Sequence, residues 1–169
     1  MSDIRSFVDT IFDELVSIRR DIHAHPELGM HEVRTSALIR SELEKMGVDE
    51  IRQPLPTAVV ALIHGKKGPG KCVALRADID ALPVHEETGL PFASETEGIM
   101  HACGHDCHIA MMLGTLQILR HMTDDIHGEV RIVFQPSEEN GQGAKLMIGT
   151  GVLDGVDQVA GGLGVDAVI

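Results

Sequence analysis

The chain has 169 residues, 43% of them hydrophobic, and a formal net charge of −12, which predicts one globular domain or a portion of a larger one. The acidic balance argues against nucleic-acid binding, because phosphate contacts require clustered Lys and Arg. No apolar run is long enough to span a bilayer and the N-terminus lacks the apolar core of a secretory signal, so we expect a cytoplasmic protein without a membrane partner.

The N-terminal part of the chain is expected to form two amphipathic helices. Apolar residues at spacings of three and four predict a helix over residues 2–25, which Pro26 ends. A second helix is predicted over residues 32–46, with Gly47 as its C-terminal stop. The core-facing residues of this second helix are expected to be Val33, Ala37, Leu38 and Leu43.

Strands are expected to follow. Apolar, β-branched runs predict strands over residues 58–64 and 71–76, paired as a hairpin or as neighbours in a buried sheet. Residues 77–100 predict a long ordered loop, and loops of that length are usually functional. The remaining elements are expected to be a helix over 106–121, a strand over 129–135 and a short helix over 143–148. This alternation of helices and strands predicts an α/β sandwich.

The chain contains ten His but only four Phe and no Trp or Tyr. Several of the His lie in Met-His-Ala-Cys-Gly-His-Asp-Cys-His, residues 100–108, where the long loop meets a helix. Thiolate and imidazole are preferred ligands of Zn and related metals, and Cys103 and His105 can reach one ion from a tight turn at Gly104. The alternatives are a His-rich helix cap, a closed structural zinc site, or a redox pair of Cys103 and Cys107, although Cys-x-x-x-Cys lacks the usual redox spacing.

Carboxylates follow two of the predicted strands. Glu138 and Glu139 are adjacent and repel each other unless a cation lies beside them. A metal would relieve this repulsion, with one Glu as ligand and the other as general base. Asp80 follows another strand and can hold a ligand His in one tautomer. Solvated acidic turns are the alternative in both cases, but sites in open α/β sheets gather beyond the carboxyl ends of strands, so the three clusters together predict a metallohydrolase site.

Four motifs in this order resemble the N-acyl-amino-acid amidohydrolases, which include hippurate hydrolase, aminoacylase and the plant auxin-conjugate hydrolases and are related to carboxypeptidase G. The motifs are His-Pro-Glu-Leu-Gly at 25–29, Arg-Ala-Asp-Ile-Asp-Ala-Leu-Pro at 76–83, Met-His-Ala-Cys-Gly-His-Asp at 100–106 and Pro-Ser-Glu-Glu at 136–139. The resemblance implies a three-layer, aminopeptidase-like α/β catalytic domain. It also implies two divalent ions (Zn, Mn, Co or Ni), small N-acyl amino acids as substrates and, through an inserted domain, homo-oligomers.

The resemblance also implies roles for individual residues. Cys103, His105 and Glu139 match metal ligands, Glu138 matches the catalytic general base, and Asp80 matches the Asp that supports the site. The implied reaction is attack on the amide carbonyl by a water that Glu138 deprotonates, while the metals stabilise the developing oxyanion. Asp78 stands where other branches of the group have a ligand His, and His108 is expected near the site.

One departure from the family pattern bears on activity. The family continues from Val-Asp-x-Val into Gly-Leu-His, whose His is another ligand. Here that position holds Leu163 or falls beyond Ile169. Because family members are more than twice as long, residues 1–169 are expected to be the N-terminal portion of the catalytic domain, interrupted near 160–169 and without the inserted lid and dimerisation domain. The chain alone is expected to be weakly active or inactive. The alternative is a non-catalytic metal- or partner-binding fragment that complements a separately encoded C-terminal half.

Overall fold

The computed structural model describes residues 4–161. Its helices are α1 (Ile4–Ala24), α2 (Val33–Met46), α3 (His105–His121) and α4 (Gly143–Gly149), with a 3-10 turn at Thr123–Asp125. Its strands are β1 (Glu50–Arg52), β2 (Val59–His64), β3 (Cys72–Asp78), β4 (Glu129–Gln135) and β5 (Gln158–Ala160). The predicted helices and the strands at β2, β3 and β4 are confirmed. The three-residue strands β1 and β5 were not predicted.

The described strands form one mixed sheet in the order β1-β2-β4-β3-β5. β3 and β4 are parallel, and β2 is antiparallel to β4. The prediction that residues 58–64 and 71–76 are neighbours is therefore wrong, because β4 lies between them. The turn-rich stretch after β2 does not close a hairpin. Instead, Gly65 donates its N–H to Gly128 O at 2.8 Å, and Gly128 donates its N–H to Gly68 O at 3.0 Å. This stretch therefore pairs with the residue that directly precedes β4.

Helices cover both faces of the sheet, which confirms the predicted three-layer arrangement. In the described chain α1, α2 and α3 pack on one face, where fully buried residues include Ile22, Ile39, Ile63, Leu113 and Phe134. The other face is covered by α4, whose Met147 packs on Val60, Leu62 and Val133. The carboxyl ends of β3 and β4 lie side by side, and the loops that follow these two strands meet there.

The predicted inward face of α2 is only partly correct. Leu43 is fully buried, but Val33 is 68% exposed. Backbone groups of the first turn of α2 face the Glu27 side chain instead. The Glu27 carboxylate accepts hydrogen bonds from the N–H groups of Arg34 at 2.9 Å and of Thr35 at 2.7 Å. Such a bond satisfies donors that every helix leaves unpaired at its start. The predicted C-terminal stop is confirmed, since Gly47 has φ +62°.

The predicted long loop is confirmed between β3 and α3. It is tied down by a bridge between Leu82 and Met100, whose N–H groups each donate to the other's carbonyl at 3.0 Å, and by the Ala81 N–H, which donates to Glu27 O at 2.8 Å. The loop is therefore fixed to the segment before α2. Among the described helices none is long and apolar enough to cross a membrane.

Candidate metal centre

The candidate residues meet at the edge of the sheet where β3 and β4 end side by side. Asp78, the last residue of β3, pairs in register with Gln135, the last residue of β4. Asp80 follows the first strand, Glu138 and Glu139 follow the second, and α3 begins at His105 between them. The sequence prediction that these three clusters share one edge of one sheet is confirmed.

His105 occupies the centre of this group and is 2% exposed. Its Nδ1 lies 2.9 Å from the carbonyl oxygen of Asp80. Because a carbonyl can only accept, Nδ1 carries the proton and the neutral ring presents a lone pair at Nε2. Nε2 lies 3.8 Å from both Glu138 Oε2 and Glu139 Oε1. The ring is thus held in the tautomer that ligates a metal through Nε2.

Asp80 links the three segments of the site. Its Oδ2 accepts the Glu139 N–H at 3.0 Å, and its Oδ1 lies 3.4 Å from His105 Nδ1. Burial alone would raise the pKa of this carboxyl, but the bond to His105 and the N–H groups of Glu139 and Glu138 outweigh burial and lower it. For His105, burial would lower the pKa, and the bond to Asp80 together with the charge of Asp78 raises it. Asp80 is therefore an ionised group that fixes both the imidazole and the carboxylate turn.

Cys103, His105 and Glu139 offer ligand atoms that all lie within 4.8 Å of one another. Gly104 has φ +84°, a left-handed conformation that disfavours other residues and turns the chain between the Cys and the His. Metal–ligand bonds of about 2.0–2.3 Å require only a small closure of this group around one ion.

The chemistry of these donors fits a divalent cation. Glu139 Oε1 is buried and forms no hydrogen bond within residues 4–161. Partial desolvation of the thiol, followed by the neighbouring carboxylates of Glu139, Glu138 and Asp78, raises the pKa of Cys103 to about 11. A cation would satisfy the unpaired carboxylate oxygen and stabilise the thiolate. The residues present therefore fit a bound metal.

Asp78 and His108 also lie at this centre, as expected. With His105 they form a second group of ligand atoms within 4.8 Å of one another. The His108 ring stacks on the His105 ring with centroids 5.3 Å apart. Asp78 forms an ion pair with Arg76, and burial raises the pKa of Asp78 to about 6. Cys107 is half-buried in the first turn of α3 and belongs to neither group of the described residues.

Sequence reasoning missed the buried polar groups behind the site. Asp106 accepts from His23 Nδ1 at 2.7 Å and pairs with Arg19 at 2.7 Å. His101 is 3% exposed, and burial lowers its pKa to about 4. Glu32, which is fully buried, reaches the segment before Glu138. No spacing pattern marks the contacts of Asp106 and Glu32, which join residues more than 80 positions apart in the sequence. The position of Leu163 lies outside the described residues.

Comparison with known proteins identifies the family to which this chain is similar. The family model described as Peptidase family M20/M25/M40 matches residues 74–168. The chain is 53% identical to Thermostable carboxypeptidase 1 of Saccharolobus solfataricus, covering 94% of this chain and 41% of that protein. It is 46% identical to the N-acyl-L-amino acid amidohydrolase of Geobacillus stearothermophilus, covering 94% of this chain and 43% of that protein.

A solved structure is also similar. The YXEP protein of Bacillus subtilis, described as a dinuclear metal binding peptidase from the M20 family, superposes with a TM-score of 0.87 at 45% identity. The match covers 90% of this chain and 43% of that structure. The chain thus spans about two-fifths of the length of the relatives that it matches.

Proposed function

Because the chain belongs to peptidase family M20/M25/M40, we propose that it carries part of the active site of a metal-dependent amidohydrolase that cleaves N-acyl amino acids. The names of its relatives support this substrate class, since N-acyl-L-amino acid amidohydrolase, N-acetyl-L-cysteine deacetylase and IAA-amino acid hydrolase all describe hydrolysis of an amide bond to an amino acid. Residues 1–169 are proposed to be one portion of the catalytic domain, which accords with their share of the relatives' length.

The proposed metal ligands are Cys103, His105 and Glu139. A divalent ion (Zn, Mn, Co or Ni) held there would supply Lewis acidity, which polarises an amide carbonyl and lowers the pKa of water. Three protein ligands are typical of catalytic rather than closed structural zinc sites. The dinuclear metal binding of the YXEP protein supports two ions in a complete site.

Glu138 is the proposed general base. Its side chain is 35% exposed, so water reaches it, while its Oε2 lies 3.8 Å from His105 Nε2 among the proposed ligands. A carboxylate in this place can take a proton from the attacking water and return it to the leaving amine nitrogen. Asp80 would act through His105, by holding Nδ1–H and leaving Nε2 free to ligate.

The observation that carries this proposal is the Cys103–His105–Glu139 group, in which two separate loops place three metal-binding atoms within 4.8 Å of one another. Its test is the metal content of the purified chain by plasma mass spectrometry, together with release of free amino acid from N-acetyl and N-benzoyl amino acids. We expect bound metal in the parent chain and its loss in Cys103→Ser. Cys72→Ser is the matched control, because Cys72 is a buried thiol of β3 that bonds Glu129 and not the site.

The same experiment separates the two functions expected from the sequence. Metal binding with hydrolysis would support a catalytic chain. Metal binding without hydrolysis would favour the alternative of a non-catalytic fragment, for which the chain's two-fifths share of its relatives' length is the supporting observation. Equal metal content in the parent chain and in Cys103→Ser would contradict the proposed site.

A further inference from the structure

A carboxylate outside the proposed ligand group is buried next to the segment that leads to Glu138 and Glu139. Glu32 precedes the first residue of α2 and is 0% exposed. Its Oε1 accepts the backbone N–H of Ser137 at 2.8 Å, a contact between residues 105 positions apart. A buried carboxylate is costly unless hydrogen-bond donors surround it. The free-energy cost of burying this carboxylate indicates that Glu32 does more than fill space in the core.

The residue that Glu32 contacts has an unusual backbone. Ser137 has φ +58°, in the left-handed region that residues other than Gly adopt at a cost in free energy. It directly precedes the two carboxylates of the centre, so its dihedral angles set the direction in which Glu138 and Glu139 leave β4. Such strained conformations persist only where surrounding contacts hold them.

Three hydrogen bonds hold Ser137 in this conformation. Two come from its own turn: its Oγ donates to Asn140 Oδ1 at 2.8 Å, and Gly143 donates its N–H to Ser137 O at 3.0 Å. The third is the bond from the Ser137 N–H to Glu32, which comes from the segment before α2. Glu32 therefore joins this turn to the segment before α2.

The segment before α2 also contacts the other half of the centre. The carbonyl of Glu27 accepts the N–H of Ala81, the residue after Asp80, at 2.8 Å. A Cβ added at Gly29 would lie 2.7 Å from Ser137 Oγ and 3.0 Å from Ser137 Cα, so a side chain there would push this turn away. Residues 27–32 thus touch the loops after both β3 and β4, the two loops that Asp80 joins from within the site.

We propose that Glu32 is a positioning residue of the metal centre, which holds Ser137 so that Glu138 and Glu139 face His105. This inference rests on the proposed function, because it assumes that Cys103, His105 and Glu139 bind metal. Glu32 is not a proposed ligand and acts on the centre through its hydrogen bond with the backbone N–H of Ser137. The required feature is the hydrogen-bond acceptor, and the negative charge is not required.

The test is titration of the full chain with Co²⁺, followed by the near-ultraviolet band that a thiolate ligand gives with this ion. Removing a group that orients a metal ligand typically weakens metal binding about 10- to 100-fold, and we expect that loss in Glu32→Ala. Glu32→Asp, whose carboxylate is one methylene too short to reach Ser137, should lose as much. Glu32→Gln retains an acceptor and should bind Co²⁺ within about threefold of the parent, well short of that loss.

Glu42→Ala is the matched control. Glu42 is a buried carboxylate of α2, 8% exposed, but its partner is Lys45 at 2.6 Å and it is not among the residues of the centre. We expect it to change unfolding by urea without changing the affinity for Co²⁺. This separates a loss of positioning from a general loss of stability, and Glu32→Asp serves if Glu32→Ala does not fold.

Two results would overturn the inference while leaving the proposed function intact: parental Co²⁺ affinity in folded Glu32→Ala or Glu32→Asp, or an equal loss of affinity in Glu32→Gln and Glu32→Asp. Absence of the thiolate band in the parent chain would instead refute the proposed metal centre, and this inference with it.

Discussion

Gly143, the first residue of α4, is packed against the segment that leads to the candidate carboxylates. A Cβ added there would overlap the carbonyl oxygen of Pro136 and lie 2.9 Å from its carbon and 3.0 Å from Ser137 O. The side chain of Ala therefore cannot be accommodated unless the backbone of α4 moves away from residues 136–137. That movement would also break the hydrogen bond from Gly143 N–H to Ser137 O, which is 3.0 Å long.

The free energy of unfolding of Gly143→Ala follows from these contacts. Replacing Gly by Ala inside a helix ordinarily stabilises by up to about 1 kcal/mol. Overpacking a filled site costs about 1–3 kcal/mol, and leaving a buried hydrogen-bonding group unpaired costs about 1–3 kcal/mol more. The two costs exceed the gain, so we expect a net destabilisation of about 3 kcal/mol, at the middle of these ranges.

Gly149→Ala is the control for this prediction. Gly149 ends the same helix, is exposed, and an added Cβ there would meet no atom within 4 Å. The same substitution should therefore leave stability unchanged or raise it by up to about 1 kcal/mol. Urea unfolding followed by far-ultraviolet circular dichroism measures both variants, since the chain has no Trp or Tyr to report by fluorescence. A Gly143→Ala chain as stable as the parent would refute the steric reasoning.

Three further predictions concern the core, the buried acid and the metal. Leu113 is fully buried in α3, and we expect Leu113→Ala to lower the free energy of unfolding in urea by about 2–5 kcal/mol. Leu146 is 41% exposed, so Leu146→Ala should change the free energy of unfolding by less than about 0.5 kcal/mol. Similar effects of the two substitutions would contradict the assignment of Leu113 to the core. Burial raises the pKa of Glu32 above its ordinary 4.5, so its contribution to stability is complete below pH 4.5 and is lost as the pH rises through the higher folded value. The stability of Glu32→Gln relative to the parent, measured by unfolding across this range, should therefore rise from pH 4.5 to neutrality, and a constant difference would show that Glu32 is not desolvated. Zn²⁺ at 100 times its dissociation constant should stabilise the chain by about 2.7 kcal/mol, an effect that a chelator reverses and that Cys103→Ser abolishes; equal stabilisation of that variant in thermal unfolding would exclude Cys103 as a ligand.

The sequence predicted those parts of the fold that local patterns determine. The apolar stripe of α1 and the β-branched run of β4 identify their elements because burial follows periodicity. The meeting of Asp80 with Glu139 was also predictable, since residues that follow neighbouring parallel strands gather at one edge of a sheet. These inferences need only the chain's own spacing and general rules of α/β architecture.

The remaining features depend on tertiary contacts that local patterns do not encode. Two apolar runs separated by a short turn do not reveal whether a third strand lies between them, as β4 does here. At the start of α2, Val33 is exposed and the preceding Glu32 is buried, because the Glu32 carboxylate accepts a hydrogen bond from Ser137, more than a hundred residues away. Hydrophobic periodicity assigns a charged residue to the surface, and only the position of its distant partner reverses that assignment.

The position of β4 between β2 and β3 also constrains the order in which the chain can fold. β2 and β3 are synthesised before β4, and in the folded protein each of them pairs with β4 and not with the other. The edges of β2 and β3 that pair with β4 therefore stay unpaired until residues 129–135 have been synthesised. Unpaired edges are prone to pair with other chains, and long-range pairing is slow because a large loop must close first. Pairing of β4 between β2 and β3 also brings Glu138 and Glu139, which follow β4 closely, next to Asp80. The centre therefore forms in the step that completes the middle of the sheet, and cannot precede it.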